Sequence, residues 1–197
     1  MPRKWEEVWE TELAPVEKYI EIGPFKGGQN VGVTIPYIQA ATLSLPLRIH
    51  PLLECMPWMP KITYPRYISW NVVEFPVTAM IKERFQPATS PKVEELHLLH
   101  DETGWSIRIA NRLGVNVTDV LTGIFDFFAS PLAVRVMEQQ YFEKREYGFY
   151  DTFLGYRKSD ALLNKTYFDG IRYDPDEAFK RLNYRATNVM VLSLNNC

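Results

Sequence analysis

The sequence predicts an α+β domain. We expect an antiparallel sheet of about four or more strands with helices packed on one face, joined to an extended proline-rich N-terminal belt. Three observations carry this. Segments near 68–73, 93–100 and 105–109 read as successive strands from alternation and composition. Val117, Val120, Leu121, Ile124, Phe125 and Phe128 then recur at helical spacing, the clearest periodic signal in the chain. A last segment, 187–194, is apolar on both faces, which suits a strand inside a sheet. Strands in a run followed by helices in a run point to α+β rather than to alternating βαβ units.

The elements follow in order. Trp5, Val8 and Trp9 share one face of a short amphipathic helix over residues 5–13. Such a helix is marginal alone and needs a surface that buries both tryptophans. Docking on its own domain and docking on a partner are both open. Eight of the 14 prolines lie between residues 14 and 66. Each removes a backbone donor and biases its predecessor to an extended form. The segment is too apolar for disorder, so it reads as an extended belt. Residues 1–66 are therefore assigned to this helix and arm, and 67–197 to the core domain. The glycines from Gly23 to Gly32 lack the spacing of a phosphate-binding loop and read as a flexible turn region.

The core opens with Ile68, Trp70 and Val72 alternating with Ser69, Asn71 and Val73. Asp101–Gly104 is a turn that pairs the strands on either side antiparallel. Asn116 or Thr118 caps the helix, and Asp119 suits its first turn. Ser130-Pro131 ends that helix and starts a second, to about Lys144. Asp174-Pro175-Asp176-Glu177 is a strong helix start, with a cap, a first-turn proline and an acidic first turn.

Composition bounds the function. The chain has 197 residues, with 46% hydrophobic and 23% charged, as in ordinary globular proteins. Net charge is -2 and the pI is about 6.0. The longest basic groups are pairs such as Lys144-Arg145, so nucleic-acid binding is not expected. No stretch approaches the length of a membrane span, and no apolar leader opens the chain. Cys55 and Cys197 read as free thiols of a reducing compartment. The expected location is cytoplasmic, with the nucleus an alternative.

With these residues laid out, the chain resembles a family of basidiomycete fungal proteins catalogued only as a domain of unknown function. The resemblance rests on His50-Pro51-Leu52-Leu53, Trp70 with a short polar residue after it, and Pro87-Ala88-Thr89-x-Pro91. It continues through Trp105-Ser-Ile-Arg-Ile109, Val117-Thr118-Asp119-Val120-Leu121, Arg157, Gly170-Ile-Arg172-x-Asp174 and the last strand. Asn71 stands where the family often has Asp, and Pro175 where an apolar residue is more usual. Residues 1–49 lie outside it. The resemblance implies a fungal intracellular domain and supplies no activity.

The chemistry-bearing residues are sparse. His97 and His100 fall on opposite faces of a regular strand, so they do not chelate a metal together. His50 reads as a structural histidine, with a general base as the alternative. No nucleophile motif is present, and no metal or cofactor is expected. Seven of the 11 tyrosines lie between residues 141 and 184, with Arg145, Arg157 and Arg172 among them. Tyrosine suits interfaces and ligand pockets, and arginine suits carboxylates and rings. The alternative is an aromatic core with arginines paired to local aspartates.

These observations lead to a protein-interaction or ligand-binding module, with a protein partner, a second copy of the chain or a small molecule as ligand. Trp5, Trp9, Tyr147, Tyr150, Asp151, Arg157 and Arg172 are the candidate site. The alternative is a small-molecule enzyme with a pocket among Tyr147, Tyr150, Arg157 and Arg172, and Asp151 as its acid/base.

Overall fold

A computed structural model describes residues 46–55, 68–78, 81–132, 157–183 and 185–196. The helix expected at 5–13, most of the belt, the helix expected from Pro131 to Lys144 apart from its first two residues, and Tyr147, Tyr150 and Asp151 lie outside the described residues.

The described elements run β1 (Arg48–Ile49), β2 (Thr89–Ser90), β3 (Glu95–His100), β4 (Ser106–Ala110), α1 (Val117–Ala129), a 3-10 turn (Lys158–Leu162), β5 (Tyr167–Arg172), α2 (Pro175–Leu182) and β6 (Val189–Asn195). Strands β1 and β2 form a small antiparallel pair. The main sheet has the order β4-β3-β6-β5. The α+β class follows, and β6 is an inner strand as its two apolar faces demand.

Two details of the expected architecture are corrected. The sheet is mixed, because β3 and β6 are parallel, with His97 opposite Val189 and His100 opposite Leu192. The helices also do not share a face. Leu96, Leu98, Ile107, Ile109, Met190 and Leu192 join the α1 core. Leu99 and Val189, on the opposite face, pack with Ala178 of α2 and with Ala186. Leu98 and Leu99 are neighbours in sequence and point to opposite faces.

Helix α1 matches its predicted span. Its capping box is made by Asn116, whose side chain accepts from the Asp119 N–H, while Asp119 accepts from the Asn116 N–H. Val117, Val120, Leu121, Ile124 and Phe128 are its buried stripe, each large side chain contributing about 2 kcal/mol on burial. Helix α2 starts on Asp174 as predicted, and ends on Asn183 in the left-handed region at φ 59°.

Strand β5 is absent from the sequence reading, and residues 68–73 are not a strand. Both results come from one edge. Asn71 bridges Tyr167, with the Phe168 N–H donating to the Trp70 carbonyl and the Val72 N–H to that of Thr166. The Asn71 side chain then accepts from the Val73 N–H and turns the chain away after this single bridge. At the other end of β5, Glu54 bridges Ile171. There the Ile171 N–H donates to the Leu53 carbonyl and the Cys55 N–H to that of Ile171. The outer edge of β5 is thus covered at both ends.

The register of β5 shifts between Phe168 and Gly170, a bulge that breaks strict alternation. Gly170 has φ +117°, and a Cβ there would lie 2.6 Å from the Cys55 backbone. Gly170→Ala is expected to destabilise the domain by about 3 kcal/mol, combining strain with a backbone clash. Gly104 also has positive φ, but its nearest atom is a side chain at 3.7 Å. Gly104→Ala is expected to cost only about 1 kcal/mol, from conformation alone. Urea unfolding of both variants checks the contrast.

Candidate functional site

Two clefts flank β5, one at each end of its covered edge. The first is an open groove of about 720 Å³, with walls that include Ile68, Trp70, Phe75, Val77, Ile81 and Leu121. Tyr167 and Asn71 sit at its sheet end, and Glu74, Lys82 and Glu83 add charge to its lining. Trp70 is fixed by its indole N–H, which donates to the Glu74 carbonyl at 2.9 Å, and by Phe168, 6.0 Å away ring to ring. By contrast, Phe75 and Val77 are each 64% exposed and Phe85 is 71% exposed. Phe75 meets Phe125 of α1 edge-on, so the exposed loop is anchored at its base.

The second cleft, about 510 Å³, is lined by Leu47, Arg48, Ile49, Pro51, Glu54, Cys55, Arg172 and Tyr173. Burial pushes the Glu54 carboxyl above its ordinary range. Burial, reinforced by the negative charge of Asp169, pushes the Cys55 thiol up as well. The thiol faces the Asp169 carboxylate at 4.0 Å. A thiol held protonated is a poor nucleophile.

Arg172 is the one predicted site residue that lines a described cleft. Its guanidinium donates to the Ser193 hydroxyl, and lies 3.8 Å from Asp101 and 3.7 Å from Asp174. It thus lies between Asp174, two residues on, and Asp101 of the turn after β3. Arg157 lies elsewhere. It bridges Pro131 after the end of α1, and its N–H donates to Asp160 at 2.8 Å. The structure does not bring these two arginines into one cleft. Trp5, Trp9, Tyr147, Tyr150 and Asp151 are outside the described residues.

The histidines each have a structural setting. His50 is buried. Its Nδ1 accepts from the Leu52 N–H at 3.1 Å, which puts the ring proton on Nε2, 2.9 Å from the side-chain amide oxygen Oε1 of Gln86. Both ring nitrogens are engaged, which favours the structural reading over the general base. His97 lies 3.0 Å from Glu95, whose carboxyl is held below its ordinary range chiefly by the Arg108 hydrogen bond. His100 faces the opposite side of the sheet, buried against Phe128. Among the described residues no group of three or more histidines, cysteines, aspartates or glutamates is placed to hold a metal. No helix among them is long and apolar enough to cross a membrane.

Sequence reasoning missed Phe75 and Val77 in the groove, and Arg48, Glu54 and Cys55 in the cleft. For the cleft a signal existed: an isolated glycine in a strand-like run, at 170, marks a close backbone approach. For the groove there was none, because Val72–Val77 is apolar without a period that separates inside from outside.

An α+β domain with two open clefts and a capped, apolar-striped helix is the structural class. The chain belongs to a family of unknown function, DUF6699, whose model matches residues 68–179, more than half of the chain. That match takes in β2, β3, β4, α1, β5 and most of α2, whereas the His50–Leu53 motif and the last strand lie outside it. No curated protein and no solved structure matches the chain.

The raised Cys55 pKa sets a test. A thiol with a folded-state pKa above its free value carries less thiolate at any pH near 8 than the same thiol in the unfolded chain. Iodoacetamide is therefore expected to alkylate Cys55 at least several-fold more slowly in the native protein than in urea, with the reaction midpoint displaced to higher pH. Peptide mass spectrometry of timed quenches reads both.

Proposed function

We propose that the protein is a binding module that engages an apolar segment of a protein partner in the groove beside Trp70. One observation carries the reading: Phe75 and Val77, each 64% exposed, flank an open cleft whose floor is already apolar. Exposed aromatic and aliphatic side chains around a groove with a charged rim are the composition of a protein interface. Glu74, Lys82 and Glu83 supply that rim with both signs of charge, which suits a segment carrying charges at its flanks. Trp5 and Trp9 belong to the same proposal through their helical spacing alone.

A second reading, a small-molecule site, has its own support in the cleft between β1 and the end of β5. Arg48 and Arg172 line it together with the half-exposed ring of Tyr173. That combination suits a ligand with an anionic group and a flat apolar part.

The test uses the double substitution Phe75→Asp with Val77→Asp. Both side chains are mostly exposed, so the melting temperature is expected to stay within a few degrees of the parent. Quantitative affinity capture with parent and variant baits is expected to lose a defined set of partners by tenfold or more. Sedimentation across a concentration series separates a second copy of the chain from a different protein. Capture that is identical for both baits, with identical sedimentation, removes the groove reading and leaves the arginine cleft.

A further inference from the structure

We propose that His100 and Asp101 form a proton-operated switch that decides whether Arg172 is held by Asp101 or released toward the cleft it lines.

The geometry begins with two buried atoms that face each other without a bond. His100 Nδ1 lies 2.8 Å from the Thr103 hydroxyl and accepts from the Thr103 N–H at 3.3 Å. The same hydroxyl oxygen accepts from the Trp105 N–H, so its own hydrogen is free for Nδ1. This places the proton of the neutral ring on Nε2. Nε2 has no hydrogen-bond partner among the described residues, and neither has Asp101 Oδ1. The two atoms are 3.8 Å apart, less than about 1 Å beyond charge-assisted bonding range. A buried donor and a buried acceptor left open so close together call for a reason.

The other oxygen of the same carboxylate supplies it. Asp101 Oδ2 accepts from the Ser193 hydroxyl at 3.0 Å and lies 3.8 Å from Arg172 Nη1. Ser193 links the two, accepting from Arg172 while it donates to Oδ2, so a shift of the Asp101 carboxylate onto His100 loosens both the Ser193 bond and the Arg172 contact. Arg172 keeps Asp174, 3.7 Å away, as its remaining carboxylate. The incoming proton goes to Nδ1, which gives up the Thr103 N–H and turns the Thr103 hydroxyl from donor to acceptor, and the positive charge it adds to the ring draws Oδ1 toward Nε2–H.

The charges around His100 set where this happens. Burial disfavours the imidazolium and lowers its pKa below the ordinary histidine value. Asp101 and Glu102 on its own turn oppose that shift. Arg181 of α2, which donates to the His100 carbonyl at 2.6 Å, and Lys165 ahead of β5, which is paired with Glu102, add to it. From α1 it meets the uncharged ring of Phe128. The net effect holds the ring below the ordinary histidine range, so the switch closes only when the solution is more acidic than that range.

NMR of the full chain tests this between pH 8 and 5, following His100 Cε1–H and Arg172 Nε–H. The expected result is one shared midpoint below about 6.5. Asp101→Asn is expected to lower the His100 midpoint by about one pH unit or more and to abolish the Arg172 response. Asp174→Asn is expected to leave the response in place. A His100 signal that does not titrate above pH 5, an Arg172 signal with a different midpoint, or an Asp101→Asn variant with an unchanged His100 midpoint each overturns the switch. Should Asp101→Asn not fold, the coincidence or separation of the two parent midpoints decides the matter.

Discussion

Strand β6 is buried on both faces, and every other layer is arranged around that fact. Met190, Leu192 and Leu194 meet the α1 core, and Val189 meets the α2 cluster. A strand with no solvent face needs a neighbour on each edge and a cover on each side. β3 supplies one edge in parallel and β5 the other in antiparallel. The parallel pairing forces the chain to cross over between β3 and β6, and α1 and α2 come to lie on opposite sides of the sheet.

The outer edge of β5 is the next constraint. An open strand edge is a template for unwanted pairing. Here two short segments cover it, Leu53–Cys55 near Ile171 and Asn71 near Tyr167. Because neither segment runs the full length of the strand, each leaves a depression where it turns away. The apolar groove and the arginine cleft lie at those two turns. The clefts are therefore consequences of how the edge is covered. Gly170 is the residue that permits the approach of Leu53–Cys55, since any Cβ there meets the Cys55 backbone.

The polar network at the end of the sheet links core to surface. His100 lies in the α1 core, Asp101 in the turn that follows, Ser193 on β6 and Arg172 on β5. Four side chains from three separate parts of the sequence share one set of contacts because β3, β6 and β5 lie side by side. Nothing in the spacing of residues 100, 101, 172 and 193 announces this. The arginine was visible as a candidate by its residue type, and Asp174 lies two residues on, whereas Asp101 and Ser193 were not legible as its partners, since only strand register brings them together.

Local patterns were legible wherever one element's own chemistry decided the outcome. The α1 stripe, the Asp174-Pro175 start of α2, the opposite facing of His97 and His100, and the inner position of β6 all follow from period and residue type, while the choice of Asn116 over Thr118 as the α1 cap came from the structure. Strand β5 was hidden because Asp169 and Gly170 interrupt it at a bulge, and both residue types are poor in strands. Residues 68–73 misled because alternation shows that a segment can pair, while the Asn71 turn stops it after one bridge. The sequence by itself determined the class of fold, its principal helix and its central strand, because these rest on burial periodicity within single segments. Only the tertiary structure decided the parallel pairing, the two-sided helix packing and the location of both clefts, because these depend on which distant backbone segments compete for the same strand edges.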